Sequence, residues 1–446
     1  MPRSLIFNEW HASADSEKAT SAAVRGFEAT RLLPAWKRSE ILRKTAEGLA
    51  RRKEELAKTI TEENAKPIRL SRAEVDRAGM TFTAAAEEAK RIGGEVLPLD
   101  LTPGAEGRMG IVRRMPLGPI LGIAPFNFPL NLVAHKVAPA IAAGNSIVLK
   151  PASATPRIAL LLGEILLEAG MTPGMVNVLP CPSSVADRMV ADERFKLVTF
   201  TGSPAVGWEL KKKAGRKRVA LELGGNAAVV VHEDADLDHA AERCVAGGFA
   251  YAGQICISVQ RIYVHEPVAD AFAAKVVERA KKLVPGDPMD DKTDLGPMID
   301  EEAAKRAEAW IEEAVAGGAT KLLGGRRDGR FLPATILENV PRTSKIHCAE
   351  AFAPVVNLYR YRDFDAALRD VNDSAYGLQA GVFTRDVGRL LRAYRELEVG
   401  GVLANEIPSW RLDTMPYGGE KESGLGREGV KYAIEEMTQL RLLTLG

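Results

Sequence analysis

The sequence predicts an α/β fold with two doubly wound parallel-sheet domains. The chain has 446 residues, and at roughly 100–200 residues per domain this length indicates two or three domains. Its composition, 46% hydrophobic and 27% charged, is typical of a globular protein with a large core. From residue 110 onward, short apolar segments alternate with helical segments of about ten residues. This alternation predicts βαβ units, in which a parallel sheet is covered by helices on both faces.

The N-terminal part, residues 16–95, predicts several helices. Apolar residues recur there at three- and four-residue spacing, as in residues 41–50, and charged residues lie between them. Asp15 or Ser16 caps the first predicted helix, and Pro34 separates that helix from the next.

Two alternating series of strands and helices follow. In the first series we predict strands at 110–117, 120–124, 146–150, 175–179, 196–201 and 218–223, with helices at about 129–143, 156–169, 183–191 and 204–213. In the second series we predict strands at 227–231, 259–265, 335–338, 355–361 and 381–384, with helices at 236–248, 267–282, 300–317 and 364–372.

Two further segments have strand or hairpin character, residues 97–112 and the C-terminal run 439–445. Strand edges without a partner tend to pair with another chain. A strand at the end of the chain can therefore add to the sheet of a neighbouring subunit.

Charge and cysteine content argue against several functional classes. Sixty basic and 59 acidic side chains leave a formal net charge of +1. This balance does not indicate binding to nucleic acid or to anionic membranes. No apolar run reaches the roughly 18 residues of a membrane span, and the N-terminus lacks the apolar core of a signal peptide, so we expect a cytoplasmic protein. Four cysteines without a CxxC pair, and six histidines without ligand spacing, predict no metal site.

Three residues whose side chains could take part in a reaction lie next to predicted strands. Cys256 is flanked by small residues between a helix and a strand, Glu222 ends a strand, and Asn127 lies between two prolines after another strand. The ends of strands in open α/β sheets are where ligands bind. Each residue also has an ordinary interpretation, as a core cysteine, a solvated carboxylate and a turn residue, so their joint occurrence is what counts.

Seven motifs in order make the sequence resemble the aldehyde dehydrogenase superfamily over nearly the whole chain. The motifs are PFNFP at 125–129, IVLKPA at 147–152, FTGS at 200–203, LELGGN at 221–226, GQICIS at 253–258, EAFAPV at 350–355 and PYGGEKESGLGRE at 416–428. Within that superfamily the segments around residues 126–140, 253–261 and 411–419 look most like the lactaldehyde and small-aldehyde branch.

The resemblance implies NAD(P)-dependent oxidation of an aldehyde to a carboxylic acid, with one role for each of the three residues. Cys256 is expected to be the nucleophile that forms a thiohemiacetal and then a thioester. The side-chain amide of Asn127 and the backbone N–H of Cys256 are expected to stabilise the oxyanion. Glu222 is expected to activate the water that hydrolyses the thioester, which implies a free acid as product because members that transfer the acyl group to coenzyme A generally lack this glutamate.

The resemblance also implies the residues of the cofactor site. A phosphate is expected at the start of the helix that follows Gly202, in a GxxxxG turn, because backbone N–H groups there attract anions. The expected cofactor residues are Lys150, Ser153, Gly202, Ser203, Gly207, Glu350 and Phe352.

One departure from the family pattern concerns the choice of cofactor. Many NAD-preferring relatives carry a glutamate where this chain has Ser153. Without that carboxylate a 2′-phosphate meets no repulsion there, and Lys150 can bind it, so NADP is expected to be accepted beside NAD. A second departure, Ala353 in place of the usual glycine, lies next to the nicotinamide segment.

The substrate is less well defined. Phe128 and Ile255 flank Asn127 and Cys256, and their apolar character favours a small or medium neutral aldehyde. Ile257 is the third residue expected in the substrate pocket. Arg411 is open to two interpretations, a structural ion pair or a contact with an anionic substrate. The alternatives are a semialdehyde or anionic-aldehyde dehydrogenase that acts on phosphono or sulfo substrates, and a catalytically silent structural member of the family.

The implied architecture is aldehyde dehydrogenase-like. A discontinuous NAD(P)-binding domain is expected at 1–96 and 116–224, a catalytic domain at 225–428, and a small β oligomerisation element at 97–115 and 429–446. This element implies a homodimer or homotetramer.

Overall fold

The computed structural model describes residues 3–446, which form three sheets of eight, seven and three strands and a two-stranded ribbon. The helices are α1 Ser16–Thr30, α2 Ala35–Arg51, α3 Lys53–Asn64, α4 Ile68–Glu88, α5 Asn131–Ala143, α6 Pro156–Glu168, α7 Ser183–Ala191, α8 Pro204–Lys213, α9 Leu237–Phe249, α10 Ala269–Ala280, α11 Glu301–Ala316, α12 Lys345–Cys348, α13 Phe364–Asn372, α14 Val387–Glu396 and α15 Val430–Glu436. Short 3₁₀ turns lie at Ala250–Gly253 and Glu266–Val268.

The strands follow the same chain order. They are β1 Ser4–Ile6, β2 Glu9–His11, β3 Gly94–Pro98, β4 Met109–Pro116, β5 Ile120–Ile123, β6 Ile147–Lys150, β7 Val176–Val178, β8 Leu197–Thr201, β9 Arg218–Glu222, β10 Ala228–Val231, β11 Arg261–His265, β12 Thr320–Leu323, β13 Thr335–Glu338, β14 Val355–Tyr361, β15 Tyr376–Gly377, β16 Gln379–Phe383, β17 Gly401–Ala404, β18 Glu420–Lys421, β19 Gly424–Leu425 and β20 Thr438–Leu445.

The first sheet has the order β19-β9-β8-β5-β6-β7-β1-β2, and its five central strands, β9 to β7, are parallel. Helices on both faces bury it, as the apolar runs predicted. Helices α2 to α6 and α15 enclose the larger core on one side, and α1, α7 and α8 cover the other side. The carboxyl ends of β6, β8 and β9 meet at one edge, which is where ligands bind in such sheets.

The second sheet has the order β12-β13-β14-β11-β10-β16-β17 and is parallel except for the β12–β13 pair. Helices α9, α10 and α11 pack with β10, β11, β13 and β14 in one core, and α13 and α14 pack on the opposite face. Strands β15 and β18 pair with each other as a separate two-stranded ribbon. Strand β19, which follows β18 in the chain, pairs with β9 of the first sheet. The C-terminal segment therefore ties the two sheets together near Glu222.

The third sheet, β20-β4-β3, is antiparallel and carries the C-terminal strand at its edge. Four leucines of β20, Leu440, Leu442, Leu443 and Leu445, are each more than two-fifths exposed. Because adjacent residues of a strand point to opposite faces, both faces of this strand present apolar side chains.

The predicted fold class is confirmed, and several predicted elements have the observed bounds, such as the helices at 183–191 and 204–213. Asp15, and not Ser16, caps α1 by accepting a hydrogen bond from the backbone N–H of Lys18. The strand predicted at 259–265 begins at Arg261, because the backbone N–H groups of Val259 and Gln260 bond to Gly247 and Ala227 outside the ladder.

The sequence analysis missed other elements: β1, β2, β12, α12, β15, α14, β17, β18, β19 and α15. The last predicted strand, 381–384, begins two residues earlier and ends at Phe383. Among residues 3–446, none of the helices combines the length and apolar character needed to span a bilayer.

Candidate active site

A cleft runs along the carboxyl ends of the strands in the first sheet. Its cavity measures about 480 Å³, within the range of small-molecule and cofactor sites. Lys150 ends β6, Thr201 ends β8, and both line the cavity together with Cys256 from the second sheet's side. The cleft therefore lies between the two halves of the chain.

Six of the seven expected cofactor residues line this cavity: Lys150, Ser153, Gly202, Ser203, Glu350 and Phe352. Gly207 does not line the cavity. A Cβ at Gly207 would lie 2.4 Å from the Leu223 side chain, so this glycine lets α8 pack closely against the end of β9.

The N-terminus of α8 opens into the cleft. Ser203 is its N-cap residue, but the Ser203 side chain makes no capping hydrogen bond. The first N–H groups of a helix have no partner within the helix, and they form a ready anion site together with the helix dipole. Ser203 and Val206 line the cavity, so the free N–H groups of this turn fit the phosphates of a dinucleotide.

Glu350 lies at the opposite wall of the cleft. Its Oε1 accepts a hydrogen bond of 3.0 Å from the backbone N–H of Gly225. A Cβ on Gly224 would come within 2.4 Å of Glu350 Oε2, so only glycine leaves room for this carboxylate. Burial is the largest influence on the Glu350 carboxyl group and raises its pKa to about 7. Glu350 lines the cavity, where its carboxylate can accept a hydrogen bond from a sugar hydroxyl.

A left-handed turn presents Cys256 to the cleft. Tyr251, Ala252 and Gly253 have successive φ values of 49°, 51° and 67°, a region that side-chain-bearing residues rarely adopt. A Cβ at Gly253 would lie 2.1 Å from the carbonyl oxygen of Ala353, so this turn packs against the segment that carries Phe352. The surrounding structure thus fixes a strained backbone immediately before the cysteine.

The sulfur of Cys256 has one polar partner among the described residues. Its Sγ lies 2.9 Å from the hydroxyl oxygen of Tyr417. Burial raises the pKa of the thiol to about 12, while the Tyr417 hydrogen bond and the charge of Arg411 act in the opposite direction. A thiolate at this site therefore depends on the polar groups that surround it.

Asn127 is held beside the cysteine loop. Its Nδ2 donates to the carbonyl oxygen of Gln254 at 3.0 Å, and its Oδ1 accepts from the backbone N–H of Phe128 at 3.1 Å. Gln254 lies two residues before Cys256, so the amide and the sulfur belong to one hydrogen-bonded unit. Asn127 and Cys256 both line the large cavity.

A buried ion pair between Lys66 and Glu74 stabilises the segment that contains Asn127. Glu74 of α4 accepts hydrogen bonds from the backbone N–H groups of Leu130 and Asn131, at 2.9 and 3.1 Å, and so satisfies the start of α5. The other oxygen of Glu74 binds Lys66, whose ammonium group lies 3.8 Å from the centre of the Phe128 ring. This pair fixes the loop that contains both Asn127 and Phe128.

Glu222 belongs to a buried cluster of charges. Its Oε2 has no hydrogen-bond partner within residues 3–446, and burial and nearby Glu428 raise its pKa well above the usual range. Lys136 lies 3.6 Å from Glu428 and donates to the hydroxyl groups of Thr199 and Thr201 at 3.2 and 2.7 Å. Two carboxylates and a lysine in one buried cluster can store and release a proton.

A smaller cavity of about 60 Å³ adjoins the first one and shares Cys256 with it. The three expected substrate residues, Phe128, Ile255 and Ile257, line its wall, and so does Glu222. The sulfur thus stands at the junction between a large cavity and a small one, with a carboxylate on the small side.

Two arginines also line the small cavity. Arg77 forms two hydrogen bonds to Asp413, from Nη2 at 2.7 Å and from Nε at 3.1 Å. Arg411 is 6% exposed, and its nearest carboxylates, on Glu428 and Asp413, lie 3.7 and 3.9 Å away. Its Nε has no hydrogen-bond partner within residues 3–446, so the guanidinium retains donor capacity at the cavity.

Sequence analysis missed Arg77, Lys136, Tyr417 and Glu428. Lys136 lies in the segment at 126–140, and Tyr417 and Glu428 lie in the PYGGEKESGLGRE motif, so these three were within reach of a motif argument. Arg77 gave no signal, because α4 carries many charged residues whose orientation depends on tertiary packing.

Two of the six histidines approach each other away from this cleft. His232 and His265, at the far ends of β10 and β11, stack with ring centroids 4.4 Å apart, and Glu233 lies beside them. His232 Nδ1 is engaged with the hydroxyl of Tyr361 at 2.8 Å. Each of these three residues offers one possible metal-ligand atom, and the three atoms lie within 4.8 Å of one another, a grouping that the spacing of the histidines in the sequence did not indicate.

The chain is similar in sequence and in fold to known proteins. The chain is 48% identical over 432 residues to a 3-sulfolactaldehyde dehydrogenase of Priestia aryabhattai, a match that covers 97% of this chain and 90% of the relative. Aldehyde dehydrogenase 21 from Physcomitrella patens, solved in complex with the reaction product succinate, superposes with a TM-score of 0.96 at 46% identity, over 98% of this chain and 92% of that one.

A third similar protein is the glyceraldehyde-3-phosphate dehydrogenase of Methanocaldococcus jannaschii, solved with NADP. Its TM-score is 0.92 at 42% identity, over 96% of this chain and 94% of the other. The model of the aldehyde dehydrogenase family matches residues 9–443. With seven motifs in order, a cysteine at the junction of two cavities and a family match along nearly its whole length, the chain belongs to the aldehyde dehydrogenase family.

Proposed function

We propose that this NAD(P)-dependent aldehyde dehydrogenase oxidises a small aldehyde that carries an anionic group, such as a carboxylate or sulfonate, at its far end. The observation that carries the proposal is that Arg77 and Arg411 line the same small cavity as Cys256. Arg411 has two carboxylates within 4 Å, but its buried Nε has no hydrogen-bond partner within residues 3–446. A buried donor without a partner is costly, and an anion in the cavity would satisfy it. The volume of about 60 Å³ favours a compact substrate.

Cys256 is the proposed nucleophile. Its thiolate donates an electron pair to the aldehyde carbon, the new S–C bond forms, and the carbonyl π electrons move to the oxygen. The amide of Asn127 and the backbone N–H of Cys256 donate to that oxyanion, where one donor is worth about 3 kcal/mol in comparable sites. The apolar walls formed by Phe128, Ile255 and Ile257 exclude water and strengthen these interactions.

The dinucleotide is proposed to lie in the large cavity. Ser203 and the first turn of α8 hold its phosphates, Lys150 and Ser153 bind the adenosine ribose, and Glu350 binds the nicotinamide ribose. When bound, the nicotinamide supplies the acceptor for the hydride that leaves the thiohemiacetal carbon, after which the substrate is a thioester on Cys256.

Glu222 is the proposed general base of the second half-reaction. Its carboxylate takes a proton from water, the oxygen of that water bonds to the thioester carbon, and the Cys256 sulfur departs as the thiolate. The product is a free acid, which loses its own proton to solvent. Glu428 and Lys136 tune the proton affinity of Glu222 from within the same buried cluster.

The neutral aldehyde that sequence analysis favoured rested on Phe128 and Ile255 alone. Neither residue is basic, but the two arginines reach the same cavity from α4 and from the segment after β17. One similar protein is a 3-sulfolactaldehyde dehydrogenase and another was solved with its reaction product succinate, and both compounds are anionic. For these reasons we propose the anionic class over the neutral class, and over a catalytically silent member.

The experiment is an aldehyde panel followed by absorbance of the reduced cofactor, with NAD and NADP in parallel. Succinic semialdehyde and butanal form the matched pair, since they differ by the carboxylate. We expect the charged aldehyde to give the higher kcat/KM, and Cys256→Ala to abolish oxidation of both. Equal values for the pair would overturn the proposed substrate class, and activity in Cys256→Ala would overturn the proposed nucleophile.

We further propose that the chain forms a homo-oligomer through the β20-β4-β3 sheet. The exposed leucines Leu440, Leu442 and Leu443 on an edge strand support an interface, because such edges seek partners. We propose the domains that the sequence predicts. They are an NAD(P)-binding domain at 1–96 and 116–224, a catalytic domain at 225–428 and an oligomerisation element at 97–115 and 429–446. Sedimentation of the protein and of Leu442→Glu, which is expected to dissociate it, tests the interface.

A further inference from the structure

Tyr417 holds an unusual position next to the proposed nucleophile. Its hydroxyl oxygen lies 2.9 Å from the Cys256 sulfur, and its side chain is 3% exposed. The guanidinium of Arg411 stands 3.7 Å from the centre of the Tyr417 ring. Sulfur, phenol and guanidinium thus form a buried contact chain, which we call the Cys–Tyr–Arg chain (Cys256, Tyr417 and Arg411).

The backbone fixes the phenol in this place. The N–H of Tyr417 donates to the carbonyl oxygen of Glu428 at 3.1 Å, and the N–H of Glu428 donates back to Tyr417 at 2.6 Å. This two-way bridge joins the phenol to the segment that carries Glu428. The side chain therefore reaches the sulfur from a rigid support, as a preorganised donor requires.

From this geometry we infer that Tyr417 is a further catalytic residue, whose hydroxyl donates a hydrogen bond to the Cys256 thiolate and supports the negative charge on sulfur before attack. The inference rests on the proposed role of Cys256. No proton is transferred from the phenol: as the S–C bond forms, the charge moves from sulfur to the carbonyl oxygen, and the hydrogen bond from Tyr417 weakens.

The surroundings keep the phenol in its donor form. Burial raises the pKa of Tyr417 well above its usual value, so the hydroxyl keeps its proton at neutral pH. Arg411 acts in the opposite direction on both Tyr417 and Cys256, because a cation over the ring favours negative charge nearby. The phenol is thus a neutral donor polarised toward the sulfur by the positive charge behind it.

The hydrogen bond has two possible directions, and they have opposite consequences. If Tyr417 donates to sulfur, it stabilises the thiolate and makes the cysteine more reactive. If the thiol donates to Tyr417, the bond stabilises the neutral thiol and makes the cysteine less reactive. Because the two directions differ in sign, loss of the hydroxyl decides between them.

The test is alkylation of the free enzyme by iodoacetamide, followed by peptide mass spectrometry. Tyr417→Phe removes the hydroxyl and keeps the ring. Hydrogen bonds to charged groups are worth about 1.5–3 kcal/mol, so we expect labelling of Cys256 to slow roughly ten- to hundredfold at each pH between 7 and 9. Exposed Cys348 in the same sample is the internal reference, and its rate is expected to stay constant.

Tyr359→Phe is the matched control, because the Tyr359 hydroxyl bonds to His347 away from the cleft. This control is expected to leave Cys256 labelling unchanged. Thermal unfolding of each variant measures folding, and in Tyr417→Phe the kcat/KM for aldehyde is expected to fall with the labelling rate while the KM for cofactor stays constant. A folded Tyr417→Phe whose Cys256 is labelled at the parental rate or faster overturns the inference.

These results are separate from a failure of the proposed function. Oxidation that survives in Cys256→Ala would remove Cys256 as the nucleophile, and the inference would fall with it. An inactive Cys256→Ala combined with parental labelling in Tyr417→Phe would leave the proposed nucleophile in place and reject only the role of Tyr417.

Discussion

Arg77 and Asp413 form a two-point ion pair that joins α4 to the segment before the C-terminal motif, with nitrogen–oxygen distances of 2.7 and 3.1 Å. Asp413 also accepts hydrogen bonds from Asn131 and His135, at 3.0 and 2.8 Å. Nearby arginine and histidine hold its pKa far below the usual range, so this carboxylate stays charged. The pair therefore fixes a guanidinium at the small cavity.

Arg77→Gln is expected to reduce selectivity for a charged aldehyde. Loss of a charge-assisted hydrogen bond costs about 1.5–3 kcal/mol, so the kcat/KM for succinic semialdehyde is expected to fall roughly ten- to hundredfold. The value for butanal is expected to change by less than about threefold. Arg72→Gln, on the same helix but paired with Glu54 and Asp291 at the surface, is the control and is expected to change neither value. Equal losses for both aldehydes in Arg77→Gln would argue against anion recognition.

Glu428→Gln and Lys136→Met are expected to shift the pH dependence of deacylation in opposite directions. The negative charge of Glu428 raises the pKa of Glu222, and the positive charge of Lys136 lowers it. A general base works when it is unprotonated, so the rate rises with pH through its pKa. Glu428→Gln is expected to move this rise to lower pH, and Lys136→Met to higher pH.

Single-turnover release of product, measured across the pH range, follows this step directly. Movement of both variants in the same direction, or no movement in either, would contradict the proposed coupling. Folding of each variant is checked by circular dichroism before the profiles are compared.

Glu350→Gln is expected to remove a pH-dependent step in cofactor binding. Burial raises the pKa of Glu350 to about 7. Below that pH the group is neutral and a weaker acceptor, and above it the carboxylate is ionised, so the parental protein is expected to bind dinucleotide more tightly as pH rises through 7. In Glu350→Gln we expect binding to be pH-independent from 6 to 8 and roughly tenfold weaker at pH 8.

The measurement is fluorescence titration with NADP at several pH values. Glu302→Gln, on the exposed start of α11, provides the control for a lost surface charge. A step near pH 7 that persists in Glu350→Gln would exclude this residue as its source.

Ser153→Glu is expected to convert the protein toward NAD. A carboxylate near the 2′-phosphate repels it, and at an effective dielectric constant of about 20 two charges some 4 Å apart interact by about 4 kcal/mol, so the kcat/KM for NADP is expected to fall at least roughly tenfold. The value for NAD is expected to stay within about threefold of the parent. Ser153→Ala separates loss of the hydroxyl from gain of charge. Parallel losses with both cofactors would contradict this assignment.

The sequence predicts an element best where its own residue types are enough to indicate that element. The segments at 335–338 and 355–361 form strands with those bounds, since both are rich in the β-branched, leucine and aromatic residues that fit a sheet. By contrast, β1 and β2 are three residues long, and β1 joins the sheet by pairing with β7 from a distant part of the chain. No local signal reports that pairing.

The site divides in the same way. Cys256, Glu222 and Asn127 lie in motifs next to predicted strands, so the sequence identified them as candidates. The structure places Asn127 in the large cavity and Glu222 in the small one, and Cys256 lines both. Arg77 reaches that cleft from a helix whose charged residues point in several directions. Which of them faces the cavity is decided by packing against α2, α3 and α5, and local sequence contains no record of it.

The most direct test of the account is detection of the acyl group on Cys256. Glu222→Gln keeps the size of the side chain but removes the base, so hydride transfer is expected to proceed and hydrolysis to stall. Rapid mixing with aldehyde and NADP is expected to give a burst of about one reduced cofactor per active site, followed by a steady state at least roughly a hundredfold slower than the parent. Mass spectrometry is expected to find the acyl mass on the peptide containing Cys256. No burst together with a parental steady-state rate, or an acyl mass on another residue, would contradict the account.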